Sequence, residues 1–253
     1  MNENNLLLGK VIRTSGKRRF VQHRRIEATH PMEYLCLDIK YIWVHGERRN
    51  YYQLSIIDVY SRKILEWILQ PSVRKIDVIN LFRKLNNRYG IKGVKIRNDN
   101  GSQFIANQVK QFLLSMEAHQ EFTHVATPEE NSYIEAFHSI MQRELVERVE
   151  FAGGYDARQT MHRFIQWYNQ HRNHRRLGFI TPQEKWEQGI ALLTVKPQNQ
   201  RFTEALSRPD SESQGEESAP YSLDKARVNC YLRLTGEQRH DENNTTDLLN
   251  LSN

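Results

Sequence analysis

Three carboxylates stand where a carboxylate is costly. Asp38 interrupts Tyr34-Leu35-Cys36-Leu37-Asp38-Ile39-Lys40-Tyr41-Ile42-Trp43-Val44, a run of β-branched and aromatic residues that reads as a strand. An unpaired charge buried in such a strand is expensive. Asp99 follows Val94-Lys95-Ile96-Arg97 at a strand end where Asn100-Gly101 turns the chain, and functional residues collect at strand ends of open α/β sheets. Glu135 falls in the opening turns of an amphipathic segment, between Ile134 and Ala136-Phe137. Carboxylates brought to one sheet edge repel each other unless a cation joins them, and hard oxygen ligands select Mg²⁺ or Mn²⁺. Two such ions about 4 Å apart activate an attacking oxygen and stabilise a leaving one in phosphoryl transfer.

Each residue also has a plain structural alternative. Asp38 could pair with Lys40 or an arginine, Asp99 could merely stabilise its turn as Asx residues do, and Glu135 could be a helix-surface acid. Asp58, in Ile57-Asp58-Val59-Tyr60, has the same appearance. It is read as structural, at the end of its strand near Arg62. Periodicity does not choose among the four.

The elements that must position them follow from the pattern of the chain. Tyr51 to Val59 and Lys63 to Leu69 read as two more strands beyond the polar turn 45–50, and short loops make the three an antiparallel meander. Lys75 to Tyr89 carries Ile76, Ile79, Leu81, Phe82, Leu85 and Tyr89 at helical spacing and stops at Gly90. Val94 to Arg97 is a short fourth strand. Ser102 caps a helix expected to run through Met116, and His119 to Ala126 is a fifth strand. A long helix is expected from Asn131 or Ser132 to about Glu150, and another from Asp156 to about His174 with Trp167 and Tyr168 in the core. A short last helix opens at Thr181-Pro182 and ends near Gly189. This order predicts an α/β fold, a mixed five-stranded sheet flanked by helices. Residues 33–190 hold that core. Residues 1–32 are expected to be a basic flexible arm, and 191–253 a polar, acidic, disordered tail.

Asp38-Ile39-Lys40-Tyr41, Asp58-Val59-Tyr60-Ser61-Arg62-Lys63-Ile64, Asn98-Asp99-Asn100-Gly101-Ser102-Gln103-Phe104 and Glu130-Asn131-Ser132-Tyr133-Ile134-Glu135-Ala136-Phe137 occur in that order. Together they resemble the retroviral-integrase-like catalytic core of bacterial insertion-sequence transposases, in particular those encoded in two overlapping frames. Thirty-five residues, 100–134, separate Asp99 from Glu135, the interval that names the DDE class of this superfamily. The stretch from Trp167 through Arg172, His174 through Gly178 and Thr181-Pro182 resembles the run closing such cores. The likeness covers roughly residues 31–190. It implies an RNase H-like fold, with Asp38, Asp99 and Glu135 as catalytic triad and as ligands of two Mg²⁺ ions, for which Mn²⁺ substitutes. The implied reaction is water-driven nicking at an element end, then attack of the 3′-hydroxyl on another phosphodiester.

The resemblance also implies double-stranded DNA as partner, a homo-oligomer that holds two ends together, and end recognition by an upstream helix-turn-helix protein or fusion. Thirty residues ahead of the core are too few for such a segment. Three positions depart from the pattern. Leu35 stands where many relatives have tryptophan, Lys40 where threonine is frequent, and Gln142 where a lysine or arginine contacts DNA, with Arg143 next to it. Two rival readings are a nuclease of the same fold that cuts without joining, and a non-enzymatic DNA-binding relic. An intact triad argues against the relic.

Charge agrees with a polyanionic partner. The formal net charge is +6 and the pI about 9.3. Lys10, Arg13, Lys17, Arg18, Arg19, Arg24 and Arg25 crowd the first thirty residues, and acids dominate from Ser207 onward. Lys40, Gln142, Arg143, Arg172, Arg175 and Arg176 are the expected DNA contacts within the core. Cys36 and Cys230 suggest neither a disulfide framework nor a zinc site, and His23, His30, His45 and His124 lack ligand spacing. No stretch approaches the ~20 apolar residues of a membrane span. The expected location is the cytoplasm, on the nucleoid.

Overall fold

Alternation along the first strand decides which residues face which layer. The computed structural model describes residues 19–21, 26–124 and 127–203. In it β1 (Tyr34–Val44) pairs antiparallel with β2 (Arg49–Asp58), which pairs antiparallel with β3 (Ile64–Gln70). On its other edge β1 runs parallel to β4 (Lys95–Asn98), and β4 parallel to β5 (His119–Phe122). The order β3-β2-β1-β4-β5 is the mixed five-stranded sheet expected from the sequence, with β1 at its centre.

Successive side chains leave a strand on opposite faces. Leu35 and Leu37 therefore join Leu54, Ile56 and Ile96 on one face, under α1 (Lys75–Tyr89), α2 (Ser102–Ile105) and α3 (Asn107–Ser115). Cys36, Ile42 and Val44 join Tyr51, Ile57 and Leu69 on the other, under α4 (Ser132–Met141) and α5 (Gly154–Gln170). Each face thus closes its own apolar layer. Trp186 of α6 (Pro182–Thr203) packs into the first of them.

Several boundaries differ from expectation. The helix expected over 102–116 breaks at Ala106, whose φ of −58° and ψ of 133° are extended. On one continuous helix Phe104 and Val109 would lie ~140° apart; the break lets both enter the same layer. Ile76 is exposed, because it sits ~160° around α1 from Val78. Tyr168 is buried as expected, but Trp167 lies ~100° away around α5 and remains 38% exposed. After Met141 the helix widens into a π-turn over Gln142–Val146 and goes no further, and α5 stops at Gln170. β5 ends at Phe122, short of Ala126. The last helix continues past Gly189 to Thr203. One glycine costs a helix only about 1 kcal/mol, and Ile190-Ala191-Leu192-Leu193 can continue it.

Of the expected arm and tail, residues 1–18, 22–25 and 204–253 lie outside the described residues, as does Cys230. The described part of the arm packs on the core. Val21 N–H donates to the Phe122 carbonyl at 3.1 Å, Phe122 N–H donates to the Arg19 carbonyl at 2.9 Å, and Ile26 and Met32 are buried. Among the described residues, no helix is long and apolar enough to cross a membrane.

Candidate metal centre

Asp38 lies on the same face of β1 as Cys36 and Lys40, two residues either side. It therefore interrupts an apolar row beneath α4. Directly across the antiparallel pair stand Ser55, opposite Asp38, and Gln53, opposite Lys40. Both are buried, and the Gln53 amide donates to the Ser55 hydroxyl. The sheet opposite the carboxylate is therefore polar.

The start of α4 is fastened to this spot. Asn131 donates its side-chain amide to the Leu37 carbonyl at 3.2 Å, and the Tyr133 hydroxyl donates to the Ile26 carbonyl at 2.5 Å. The Arg62 guanidinium lies 3.8 Å over the Tyr133 ring. Arg97 anchors the preceding loop: it is buried, pairs with Glu121 at 2.6 Å, and donates to the Glu130 carbonyl at 2.8 Å. Glu130 in turn accepts from the His124 backbone N–H at 2.7 Å. With Ile134, Phe137 and Met141 in the apolar layer, the helix delivers Glu135 to Asp38.

One ligand atom each from Asp38, Glu135 and His138 lie within 4.8 Å of one another. Burial first, then the negative charges of Asp99 and Glu135 and a hydrogen bond with Glu135, push the Asp38 carboxyl up to about 7, against the lowering effect of the Ile39 backbone N–H. Asp99 stands apart from that close group. Its Oδ1 accepts from the Gly101 N–H at 3.0 Å, which partly offsets the upward pull of burial on its pKa. Its loop is held by the Asn98 amide on the Asp99 carbonyl at 2.7 Å and the Asn100 amide on the Thr123 carbonyl at 2.6 Å. The structure thus brings Asp38 and Glu135 together and leaves Asp99 within electrostatic reach. Two carboxylates and an imidazole, with one carboxyl so reluctant to ionise, are a donor set suited to a divalent cation.

Sequence reasoning missed His138. It is 3% exposed, and its Nδ1 lies 3.7 Å from Asp38 Oδ2. Burial, aided by Lys40, pushes the imidazole down to about 3, so it is neutral. The signal was present: three residues after Glu135 on a helix is the same face. Asp58 is structural, as read. It is fully buried and accepts from the Met32 N–H at 2.8 Å, the Ser61 N–H at 2.7 Å and the Ser61 hydroxyl at 2.6 Å.

The residues expected to meet DNA are spread more widely. Lys40 is half-buried beside the centre, Gln142 is half-buried at the start of the π-turn, and Arg143 is exposed on it. Arg172 pairs with Glu144 at 3.4 Å, and Arg175 and Arg176 are exposed on the 3₁₀ turn 175–177. Among the described residues Cys36 is a free, buried thiol.

Comparison with known families decides the assignment. Two family descriptions, both "Integrase core domain", match residues 28–128 and 116–182, which together span more than half of the sequence. Over residues 28–182 the chain is thus similar to integrase core domains. It is 26% identical over 160 residues to the transposase for insertion sequence element IS904 of Lactococcus lactis subsp. lactis (strain IL1403), covering 62% of each chain. It is 25% identical over 134 residues to the transposase InsD for insertion element IS2A/D/F/H/I/K of Escherichia coli, covering 51% of this chain and 44% of that one. The matched stretches are thus less than two thirds of these relatives' lengths. A chain of the simian T-cell lymphotropic virus intasome, solved in complex with PP2A regulatory subunit B56 gamma, superposes with a TM-score of 0.53 at 10% identity, covering 82% of this chain and 67% of that one. The chain therefore has the RNase H-like fold.

Proposed function

We propose that the chain is the catalytic subunit of a DDE transposase, which nicks DNA at transposon ends and joins the 3′-hydroxyl to target DNA by two-metal phosphoryl transfer. The observation that carries the reading is the close approach of Glu135, on α4, to Asp38, on β1, with Asp99 just past the end of β4 within electrostatic reach, an arrangement that a divalent cation would stabilise. The names of the two curated relatives, both transposases, support it. Asp38, Asp99 and Glu135 are the residues that would hold two Mg²⁺ ions, or Mn²⁺ in their place. Bound there, the ions supply an activated attacking oxygen and charge stabilisation for the leaving one.

The remaining residues position the nucleic acid. Lys40 places a cation beside the carboxylates, where a phosphate of the bound strand would otherwise be repelled. Gln142 and Arg143, one turn beyond His138, offer an amide and a guanidinium to the same backbone, and Arg175 and Arg176 extend the basic track. Arg172 joins it when its bond to Glu144 opens. Double-stranded DNA is the partner, held by a homo-oligomer that brings two ends together. Recognition of the end sequence falls to an upstream helix-turn-helix segment, in a protein acting in the cytoplasm on the nucleoid.

A labelled duplex ending in the element's terminus, incubated with Mg²⁺ and target DNA, tests this. Shortened strands together with larger joined products are expected. Shortened strands alone would make the protein a nuclease of the same fold, and neither product would leave a DNA-binding relic.

A further inference from the structure

The carboxylate centre has a neighbour that a purely oxygen-ligated site does not need. His138 is 97% removed from solvent, yet its Nε2 has no hydrogen-bond partner, and Nδ1 stands 3.7 Å from Asp38 Oδ2, beyond hydrogen-bonding range. Burying an imidazole among apolar neighbours without satisfying its nitrogens is costly. The adjoining Phe137 ring, with centroids 5.9 Å apart, offers nothing polar. What His138 does have is a nitrogen within 4.8 Å of ligand oxygens on both Asp38 and Glu135. Glu135 and His138 share the Glu-x-x-His spacing by which one helix presents a carboxylate and an imidazole to a single ion.

We infer that His138 is a direct nitrogen ligand of the cation held between Asp38 and Glu135, and that it tilts this position toward Mn²⁺ over Mg²⁺. The inference rests on the cation-binding reading of the centre given above. An imidazole is a softer donor than a carboxylate and binds transition-metal dications better than Mg²⁺, which prefers oxygen and keeps its waters. The ion would take up the hydrogen-bonding deficit of one ring nitrogen and the repulsion between the two carboxylates together. Asp99, turned toward the Gly101 N–H, remains an oxygen ligand for the other ion position.

Mn²⁺ is its own probe. Electron spin echo spectroscopy of Mn²⁺ added to the full chain, prepared with ordinary and with isotopically labelled histidine, reads nitrogen coordination without any substitution in the core. The expected result is a nitrogen modulation that changes with the histidine isotope and disappears in Glu135→Gln. In His138→Phe, Mn²⁺ affinity should fall by ~10-fold or more, with Mg²⁺ affinity nearly unchanged. Mn²⁺ that binds, is lost in Glu135→Gln and shows no nitrogen coupling would overturn the role of His138 and leave the carboxylate site standing. Nitrogen coupling that persists in Glu135→Gln would place the ion on another histidine and overturn it too. Mn²⁺ that does not bind, or binds equally well to Glu135→Gln without coupling, would remove the cation site itself and this inference with it.

Discussion

The side-chain amide of Asn131 donates to the backbone carbonyl of Leu37 at 3.2 Å, with both residues buried. The pairing of β4 with β1 ends at Cys36 opposite Arg97, so the next carbonyl along that edge lacks a strand partner. Asn131 takes it, and thereby sets the start of α4 one residue away from Asp38. The distance between the two carboxylates is governed by this tie as much as by either carboxylate.

Asn131→Leu should therefore weaken both stability and the centre. Leaving the Leu37 carbonyl unsatisfied costs about 1–3 kcal/mol, readable as a lower urea midpoint with unchanged slope. Mn²⁺ affinity should drop in the same variant. Unaltered affinity would show that α4 is held in place by its apolar face alone.

Arg97 is a second tie. Arg97→Leu strands Glu121 on the neighbouring strand and frees the loop at Glu130, and breaking a buried pair in this way costs roughly 3–5 kcal/mol. Arg97→Leu combined with Glu121→Leu should be markedly milder in thermal denaturation, since no uncompensated charge remains.

The pH dependence has a defined sign. The Asp38 carboxyl is raised to about 7 in the folded chain from an ordinary 3.8, so the folded state holds more protons than the unfolded one between those values. Stability of the metal-free protein should fall as pH rises from about 4 through 7. Added Mg²⁺ should raise the melting temperature more at pH 8 than at pH 5, because at low pH the cation must displace a proton. An equal effect of Mg²⁺ at both would disconnect the ion from Asp38.

Asp58 and Asp99 look alike in sequence and should separate cleanly. Asp58→Ala strands the N–H groups of Met32 and Ser61, at roughly 1–3 kcal/mol for each. Asp99→Asn keeps an acceptor for Gly101 and should melt close to wild type while losing cleavage. A stable Asp58→Ala, or an unstable Asp99→Asn, would reverse the two assignments.

Much of the fold was legible because residue type and helical spacing are one-dimensional signals. The β-branched and aromatic run 34–44 and the Ile79, Phe82, Leu85 stripe placed β1 and α1 directly. Breaks were harder to see. Nothing local in Phe104-Ile105-Ala106-Asn107 announces a kink; it arises because two separated apolar groups must reach one layer. Trp167 was misplaced because it lies ~100° around α5 from Tyr168, beyond the edge of the buried stripe, and remains exposed. In the site, improbable positions marked four carboxylates without choosing among them, and the family resemblance singled out Asp38, Asp99 and Glu135. His138 was not, since a histidine beside Phe137 reads as core until its distance to Asp38 is known. Gln53 and Ser55 owe their burial to cross-strand register, which composition does not carry.

The account rests on Asp38, Asp99 and Glu135 acting as one cation-dependent centre on DNA. The most direct test is nicking of supercoiled plasmid, alone and with element-end DNA, by the wild-type chain and by Asp38→Asn, Asp99→Asn and Glu135→Gln, each with Mg²⁺, with Mn²⁺ and with a chelator. Nicking that requires the ion and vanishes in all three folded variants is the predicted result. Nicking that survives any one of the substitutions, or that proceeds in the chelator, would contradict it.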